Sequence, residues 1–260
     1  MTLVTLTTDF GTTDPFAGIM KGVIASLAPE ARIVDLTHGI PPQDVLAGAL
    51  VLRHAVPYFP PGTVHLAVVD PGVGGTRRPL CVETAHGLLV GPDNGLLSLA
   101  APPGEVQRII HLTEERFFLS PRSATFHGRD VFAPVAAGLA TGLPPSSFGS
   151  AAVDMERLPL PAPVRDGPSV RGEVIYVDRF GNLTSNVGED ILRTLERPVV
   201  SIAIGDVRLR GVAPSYSSVR PGEPVAVVNS WGLLEIAVRD GSARDRLGAR
   251  VGETIVVEAP

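Results

Sequence analysis

The sequence predicts an α/β N-terminal domain with a largely parallel sheet, followed by a small all-β, barrel-like C-terminal domain. Three observations carry this. Short apolar strands alternate with helical patterns over residues 1–157, the signature of a layered α/β fold. From residue 169 onward come β-branched runs separated by turn residues, with little helical periodicity. Between them, LPLPAPVRDGP (158–168) is rich in proline and suits a stiff connector. The expected division is therefore residues 1–157, a linker over 158–168, and residues 169–260.

Each element has its own reason. LVTLTT (3–8) reads as the first strand. Asp14-Pro15 supplies a cap and a first-turn proline for a helix over FAGIMKGVIASLA (16–28). RIVDLT (32–37) is a second strand, and PPQDVLAGALVLRHAV (41–56) a second helix, opened by proline and apolar at helical spacing. TVHLAVV (63–69) is a third strand. PLCVETAHGLLVGPDNG (79–95) reads as paired strands turning at His86-Gly87. GRDVFAPVAAGLATG (128–142) is a third helix with Pro134 in its first turns. In the C-terminal half, GEVIYVD (172–178), VVSIAI (199–204), EPVAVVNS (223–230), LLEIAV (233–238) and TIVVEA (254–259) are short strands.

Composition narrows the function classes. The chain has 260 residues, 44% hydrophobic and 19% charged, which is ordinary for a globular protein. One cysteine, Cys81, excludes an internal disulfide framework and suits a reducing cytoplasm. MTLVTLTTDFG lacks the basic-then-apolar pattern of a signal peptide, and no apolar run is long enough to span a membrane. A net charge of −5 argues against a nucleic-acid partner and is compatible with a cationic small molecule. The six histidines, His38, His54, His65, His86, His111 and His127, show no metal-ligand spacing, so no metal is expected. Cys81 reads as a small buried hydrophobe, His54 as a helix residue and His111 as solvated.

Ligands of open α/β sheets bind beyond the carboxyl ends of strands. Asp9 follows LVTLTT and Asp70 follows TVHLAVV, so two carboxylates reach strand ends, each with glycine close behind. A carboxylate there also serves to cap a turn. Asp9 and Asp14 bracket a glycine-containing loop and have the chemistry to accept bonds from vicinal ribose hydroxyls, although Asp14 doubles as a helix cap. VVDPGVGGTRRP is no phosphate loop, because its glycines lead into Pro79 and a strand rather than a helix. FHGRDVFAP places His127 just before a helix. A carboxylate, a permanently charged guanidinium and a titratable imidazole (Asp70, Arg77 and His127) together have the means to polarise a water molecule.

At these residues the chain resembles a known family. TDFGTTDPFAGIMKG, IVDLTHGIPPQDV, VVDPGVGGTRR, GPDNG, TFHGRDVFAP, VDRFGN and NSWGLLEIAV, in that order, are similar to the S-adenosyl-L-methionine hydroxide adenosyltransferases, relatives of bacterial fluorinases and chlorinases. The resemblance implies hydrolysis of S-adenosylmethionine to adenosine and L-methionine, with no added cofactor. It implies an α/β domain followed by a β-rich one, in homotrimers whose active sites lie between one chain's N-terminal domain and its neighbour's C-terminal domain. It assigns the water-activating trio to Asp70, Arg77 and His127, and the ribose contact to Asp9 with Asp14 nearby. Asp178 falls on a carboxylate that meets the methionine ammonium, Phe180 on an aromatic beside adenine, and Asn182 on a donor to the base. Ser230 falls on a contact to the methionine carboxylate. VDRFGN is one residue shorter than the halogenase version, and Arg239 stands where an asparagine is often found.

The implied chemistry is self-consistent. A sulfonium is already a good leaving group, so what is missing is a nucleophile aligned with the C5′–S bond. Arginine stays protonated and cannot be the base. The residues alone leave open whether Asp70 or His127 takes the proton, and whether Arg77 or Arg78 points inward, though the family position is Arg77. Three alternatives stand beside hydrolysis. They are a halogenase, a non-catalytic S-adenosylmethionine sensor and a metal-dependent hydrolase. The halogenase is disfavoured because Asp70 would repel a halide at short range.

Overall fold

In a computed structural model, which describes residues 2–195 and 200–259, the chain divides after Leu158 into two compact units. The first is built around β1 (Leu3–Thr8), whose residues Val4 to Thr8 are all buried. Such a strand needs neighbours on both edges and both faces, and it has them. The sheet runs β2 (Arg32–Thr37), β1, β3 (Thr63–Val68), β5 (Gly87–Pro92), β4 (Pro79–Thr84), β6 (Val106–Leu112), β7 (Gly149–Ala152). The first four are mutually parallel. The remaining pairings are antiparallel, so the sheet is mixed, parallel only from the β2 edge as far as β5, a correction to the largely parallel sheet expected.

Side chains alternate across this sheet with the strand period of two. Val4, Leu6, Val64, Leu66 and Val68 share a core with Met20 and Ile24 of α1 (Phe16–Leu27) and with Val135 and Leu139 of α3 (Ala133–Ala140). Each such fully buried aliphatic side chain stabilises by roughly 2 kcal/mol, so the sheet that carries the site is well anchored. The helix expected over 41–56 begins only at Val45, as α2 (Val45–Ala55). Asp44 caps it by accepting from the Ala47 N–H at 2.9 Å, and residues 41–44 form a turn instead. Gly128–Phe132 is a single π-helical turn that runs into α3, with Pro134 in the first turn as expected.

In the second unit the named strands all pair antiparallel. Its strands follow the order β12 (Val207–Arg210), β11 (Ser201–Ile204), β15 (Thr254–Glu258), β9 (Ser169–Val177), β10 (Leu183–Gly188), β14 (Leu233–Val238), β13 (Pro224–Val228). Val199, the first residue of an expected strand, lies outside the described residues. The stretch expected as a linker carries a short strand, β8 (Val164–Asp166), paired with β9. Just past β12, Ala213 N–H donates to Ala226 O of β13 at 2.8 Å, so the two ends of the path are brought together in a nearly closed barrel. Its interior is filled by Val174, Leu183, Ile202, Ile236, Ile255 and Val257. The helices α4 (Glu189–Arg193) and α5 (Ala243–Leu247) are single turns.

Candidate active site

Adjacent parallel strands deliver the two expected carboxylates. β1 and β3 pair with Thr8 opposite Val68, so Asp9 and Asp70 emerge together at the carboxyl edge. Between them lies a cavity of about 460 Å³, lined by Asp9, Phe16, Gln43, Asp70, Phe126 and His127 among others. That volume suits a small-molecule ligand. Phe10, Phe16 and Phe126 form a triangle of tilted and edge contacts with centroids 5.3–5.9 Å apart, an apolar wall beside the polar groups.

Asp70 and His127 line this cavity, and Arg77 bonds to both of them. The Arg77 Nε donates to both Asp70 carboxylate oxygens, at 2.9 and 3.1 Å, and Nη2 donates to Oδ2 as well. The pair is nearly dry, with side chains 9% and 5% exposed, so this bond is geometrically fixed rather than a mobile surface contact. Nη2 also lies 2.8 Å from His127 Nδ1. A guanidinium can only donate, so Nδ1 must accept, and the neutral ring carries its proton on Nε2. Burial, followed by the Arg77 charge, lowers the His127 pKa from its ordinary 6.5, consistent with a neutral ring. Arg78 turns the other way, to Asp93 Oδ2 at 2.7 Å and Asp154 Oδ1 at 2.9 Å. Arg77 is thus the arginine bonded to the cavity residues Asp70 and His127.

The glycines of PGVGG have a packing role. Gly74 sits at φ +75, where an added Cβ would lie 2.2 Å from the Ala124 carbonyl oxygen. Only glycine lets the loop bearing Asp70 and Arg77 approach the loop bearing His127 this closely. The second loop is held by Asp130, which is 1% exposed and accepts from the Ser123 N–H at 2.8 Å. Sequence reasoning missed Gly74, Asp130, Gln43 and the phenylalanine triangle. The glycine repeat was the one signal for the first.

Asp9 accepts from the Gln43 N–H through Oδ2 at 2.8 Å. Asp14 departs from expectation. α1 begins at Phe16 with Pro15 in the cap position and no side-chain cap, so Asp14 stands one residue too early to cap it. Asp14 is exposed and does not line the cavity that holds Asp9.

The other expected contacts belong to the second unit. Asp178 Oδ1 accepts from the Phe180 and Asn182 N–H groups, both at 2.8 Å, and Oδ2 from Asn182 Nδ2 at 3.0 Å. This carboxylate therefore builds its own loop, leaving Asn182 8% exposed and Phe180 76% exposed. Asp178, Phe180, Asn182 and Arg239 line a hollow of about 680 Å³. The Arg239 guanidinium is tied to the Val219 carbonyl at 2.8 Å. A second hollow, of about 420 Å³, holds Asp178, Ser230, Trp231 and the buried Glu235, which accepts from the Tyr216 hydroxyl at 2.8 Å and Asn229 Nδ2 at 2.9 Å. Ser230 is exposed.

Cys81, His65, His54 and His111 line none of these cavities. Cys81 is fully buried, and burial pushes its thiol pKa up to about 12. Burial drops His65 and His54 to about 4. His111 is half-buried rather than solvated, because it lies on β6 between β4 and β7. Among the described residues no three His, Cys, Asp or Glu side chains gather as a metal site.

Two family models match the chain. The SAM hydroxide adenosyltransferase N-terminal domain covers residues 4–149 and the corresponding C-terminal domain residues 172–256. The chain is similar to an (R)-S-adenosyl-L-methionine hydrolase of Salinispora tropica, 43% identical across 98% of this chain and 97% of that one. A protein of the same name from Thermus thermophilus is 43% identical across 94% of each chain. A crystal structure of an uncharacterized conserved protein from Thermotoga maritima superposes with a TM-score of 0.91 at 37% identity, covering 98% of this chain and 99% of that one.

Proposed function

We propose, from a chain that belongs to the SAM hydroxide adenosyltransferase family, that this protein hydrolyses S-adenosyl-L-methionine to adenosine and L-methionine. The relatives' names specify the R epimer at sulfur, and we carry that epimer over as the preferred substrate.

The reaction is an in-line displacement. A water oxygen bonds to C5′, the C5′–S bond breaks, its electron pair stays on sulfur as a neutral thioether, and one water proton goes to a base. That base is Asp70. The observation that carries this choice is the Arg77 Nη2 contact to His127 Nδ1, which leaves the ring as a donor through Nε2. His127 then donates to the water oxygen while Asp70 accepts its proton. Arg77 holds both partners and offsets the carboxylate charge as the cationic substrate arrives. Asp9 accepts from the ribose diol, and the phenylalanine wall covers the nucleoside. The departing sulfur already bears the positive charge, so no metal or cofactor has a task in this step. A halide beside the almost dry Asp70 carboxylate would meet like charge, which favours water as nucleophile.

Asp178, Phe180, Asn182 and Ser230 belong to the same reading, as contacts to methionine and adenine. They lie in a different unit from the trio, and Phe180 is an aromatic left largely uncovered. Those two facts support a homotrimer in which a neighbour's C-terminal unit completes each site. No helix among the described residues is long and apolar enough to cross a membrane, and a buried lone thiol fits a reducing cytoplasm as the place of work.

The test is direct. Purified protein with each sulfonium epimer should release adenosine and methionine in equal amounts, faster from the R epimer and equally fast with chelator present. Methylthioadenosine as the main enzymatic product would refute the reading. Chloride-dependent formation of a chlorinated nucleoside would replace it with the halogenase.

A further inference from the structure

Pro41 to Asp44 form a tight turn, closed by Asp44 N–H donating to Pro41 O at 3.0 Å. Gln43 occupies its third position at φ 66. That corner of a turn with proline in second place favours glycine or asparagine, because a side chain there crowds its own backbone. Among the described non-glycine residues only Gln43 and Asp240 adopt positive φ. The strained backbone has a local use, since its N–H donates to Asp9 Oδ2 at 2.8 Å and so fixes the carboxylate at the end of β1. Glycine would supply the same N–H without strain. The backbone explains the turn but not the glutamine.

What the glutamine adds is a carboxamide on a residue of the cavity wall. Gln43 lines the same cavity as Asp9, Asp70 and His127, and the residue is exposed. A carboxylate can only accept hydrogen bonds, whereas a carboxamide both donates and accepts. Placed beside Asp9, it matches a pair of hydroxyls that must each donate once and accept once. Strained residues held in place by surrounding bonds gather at ligand sites, and this one is held by the turn and by Asp9.

We infer that Gln43 is a second recognition residue for the nucleoside, its backbone orienting Asp9 and its carboxamide binding the ribose hydroxyls, so that the two together select ribose over deoxyribose. This rests on the nucleoside-binding reading above.

The test compares wild type with Gln43→Gly and Gln43→Asn. Gln43→Gly keeps the N–H and accepts the positive φ, so the fold and the Asp9 contact survive and melting temperature should not fall. KM for S-adenosylmethionine should rise about tenfold, the usual effect of one lost hydrogen bond, with a smaller change in kcat. A second readout is free of chemistry: inhibition by adenosine, 2′-deoxyadenosine and 3′-deoxyadenosine. Wild type should bind adenosine better than either deoxy form, and Gln43→Gly should shrink that preference. Gln43→Asn, with a shorter amide at a tolerated φ, should recover part of it. An unchanged preference and KM in Gln43→Gly would overturn the inference while leaving the hydrolase reading intact. Failure of wild type to bind adenosine or turn over substrate would instead sink the reading on which it rests.

Discussion

The two units present their candidate groups in opposite ways. In the first, Arg77 bonds both Asp70 and His127, and the Asp70–Arg77 pair is nearly dry, set on loops that hang from a buried mixed sheet. In the second, Asp178 is turned inward to fold its own loop, while Phe180 and Ser230 face outward. The difference teaches a division of labour. On the proposed reading, groups that must hold a water molecule to within a fraction of an ångström are locked before substrate arrives. Groups that only need to cover a ligand can wait on the surface.

The largest expected effect comes from breaking the locked side. Asp70→Asn should lower kcat by about 100-fold or more, as expected when a general base is lost, with calorimetric substrate affinity nearly unchanged. His127→Ala should follow the same pattern with a smaller loss, since here it donates rather than accepts. If His127→Ala proved the worse of the two in single-turnover assays, the roles of base and donor would be reversed.

Loop packing comes next. Gly74→Ala places a methyl 2.2 Å from the Ala124 carbonyl in a φ +75 backbone, so the two loops must separate. We expect roughly 1–3 kcal/mol of destabilisation by denaturant unfolding, together with a kcat loss of about tenfold or more. A fully active, fully stable variant would show that trio geometry is tolerant.

The surface side should respond in affinity instead. Phe180→Ala should weaken substrate binding by about tenfold while leaving unfolding midpoints unchanged, because the ring is 76% exposed. Asn182→Ala should weaken binding and also cost some stability, since its amide bonds Asp178 at 3.0 Å. Mixing Asp70→Ala and Asn182→Ala chains should recover activity if sites form between subunits, and should not if each chain holds a complete site.

Acidity probes the first unit more gently. On the proposed mechanism His127 acts as a neutral ring, and its pKa is lowered by burial, so turnover should be full at pH 7 and should fall as pH drops below the ordinary 6.5 through the folded value. In His127→Ala that particular limb should be missing from the kcat profile. His65 tests the same sign in stability. Its folded pKa near 4 lies below its unfolded value, so its neutral, buried form contributes fully above about 6.5. That contribution shrinks as pH falls from there towards 4, and His65→Leu should flatten this part of the stability curve.

Much of the site was legible because carboxylates at strand ends are a property of local sequence. Asp9 and Asp70 could be read from the apolar runs before them, and the strand pairing then set them side by side. The choice between Arg77 and Arg78 was not readable, because both follow the same turn and only tertiary partners separate them. Asp14 misled because a proline after an aspartate is a good helix start, but here Pro15 itself takes the cap position. The sheet was read as more parallel than it is, since β6 and β7 carry weak patterns with glutamine, arginine and glycine among the apolar residues. Gln43 escaped notice because positive φ at a glutamine leaves no mark in sequence.

One measurement bears most directly on the claim that a held water attacks C5′. Turnover of S-adenosylmethionine in oxygen-18 water, followed by mass spectrometry of both products, reports which bond the oxygen enters. We expect one labelled oxygen in the adenosine 5′-hydroxyl and none in methionine, with the label lost alongside turnover in Asp70→Asn. Unlabelled adenosine, or label carried by homoserine in place of methionine, would contradict attack at C5′ by the water that Asp70 and His127 hold.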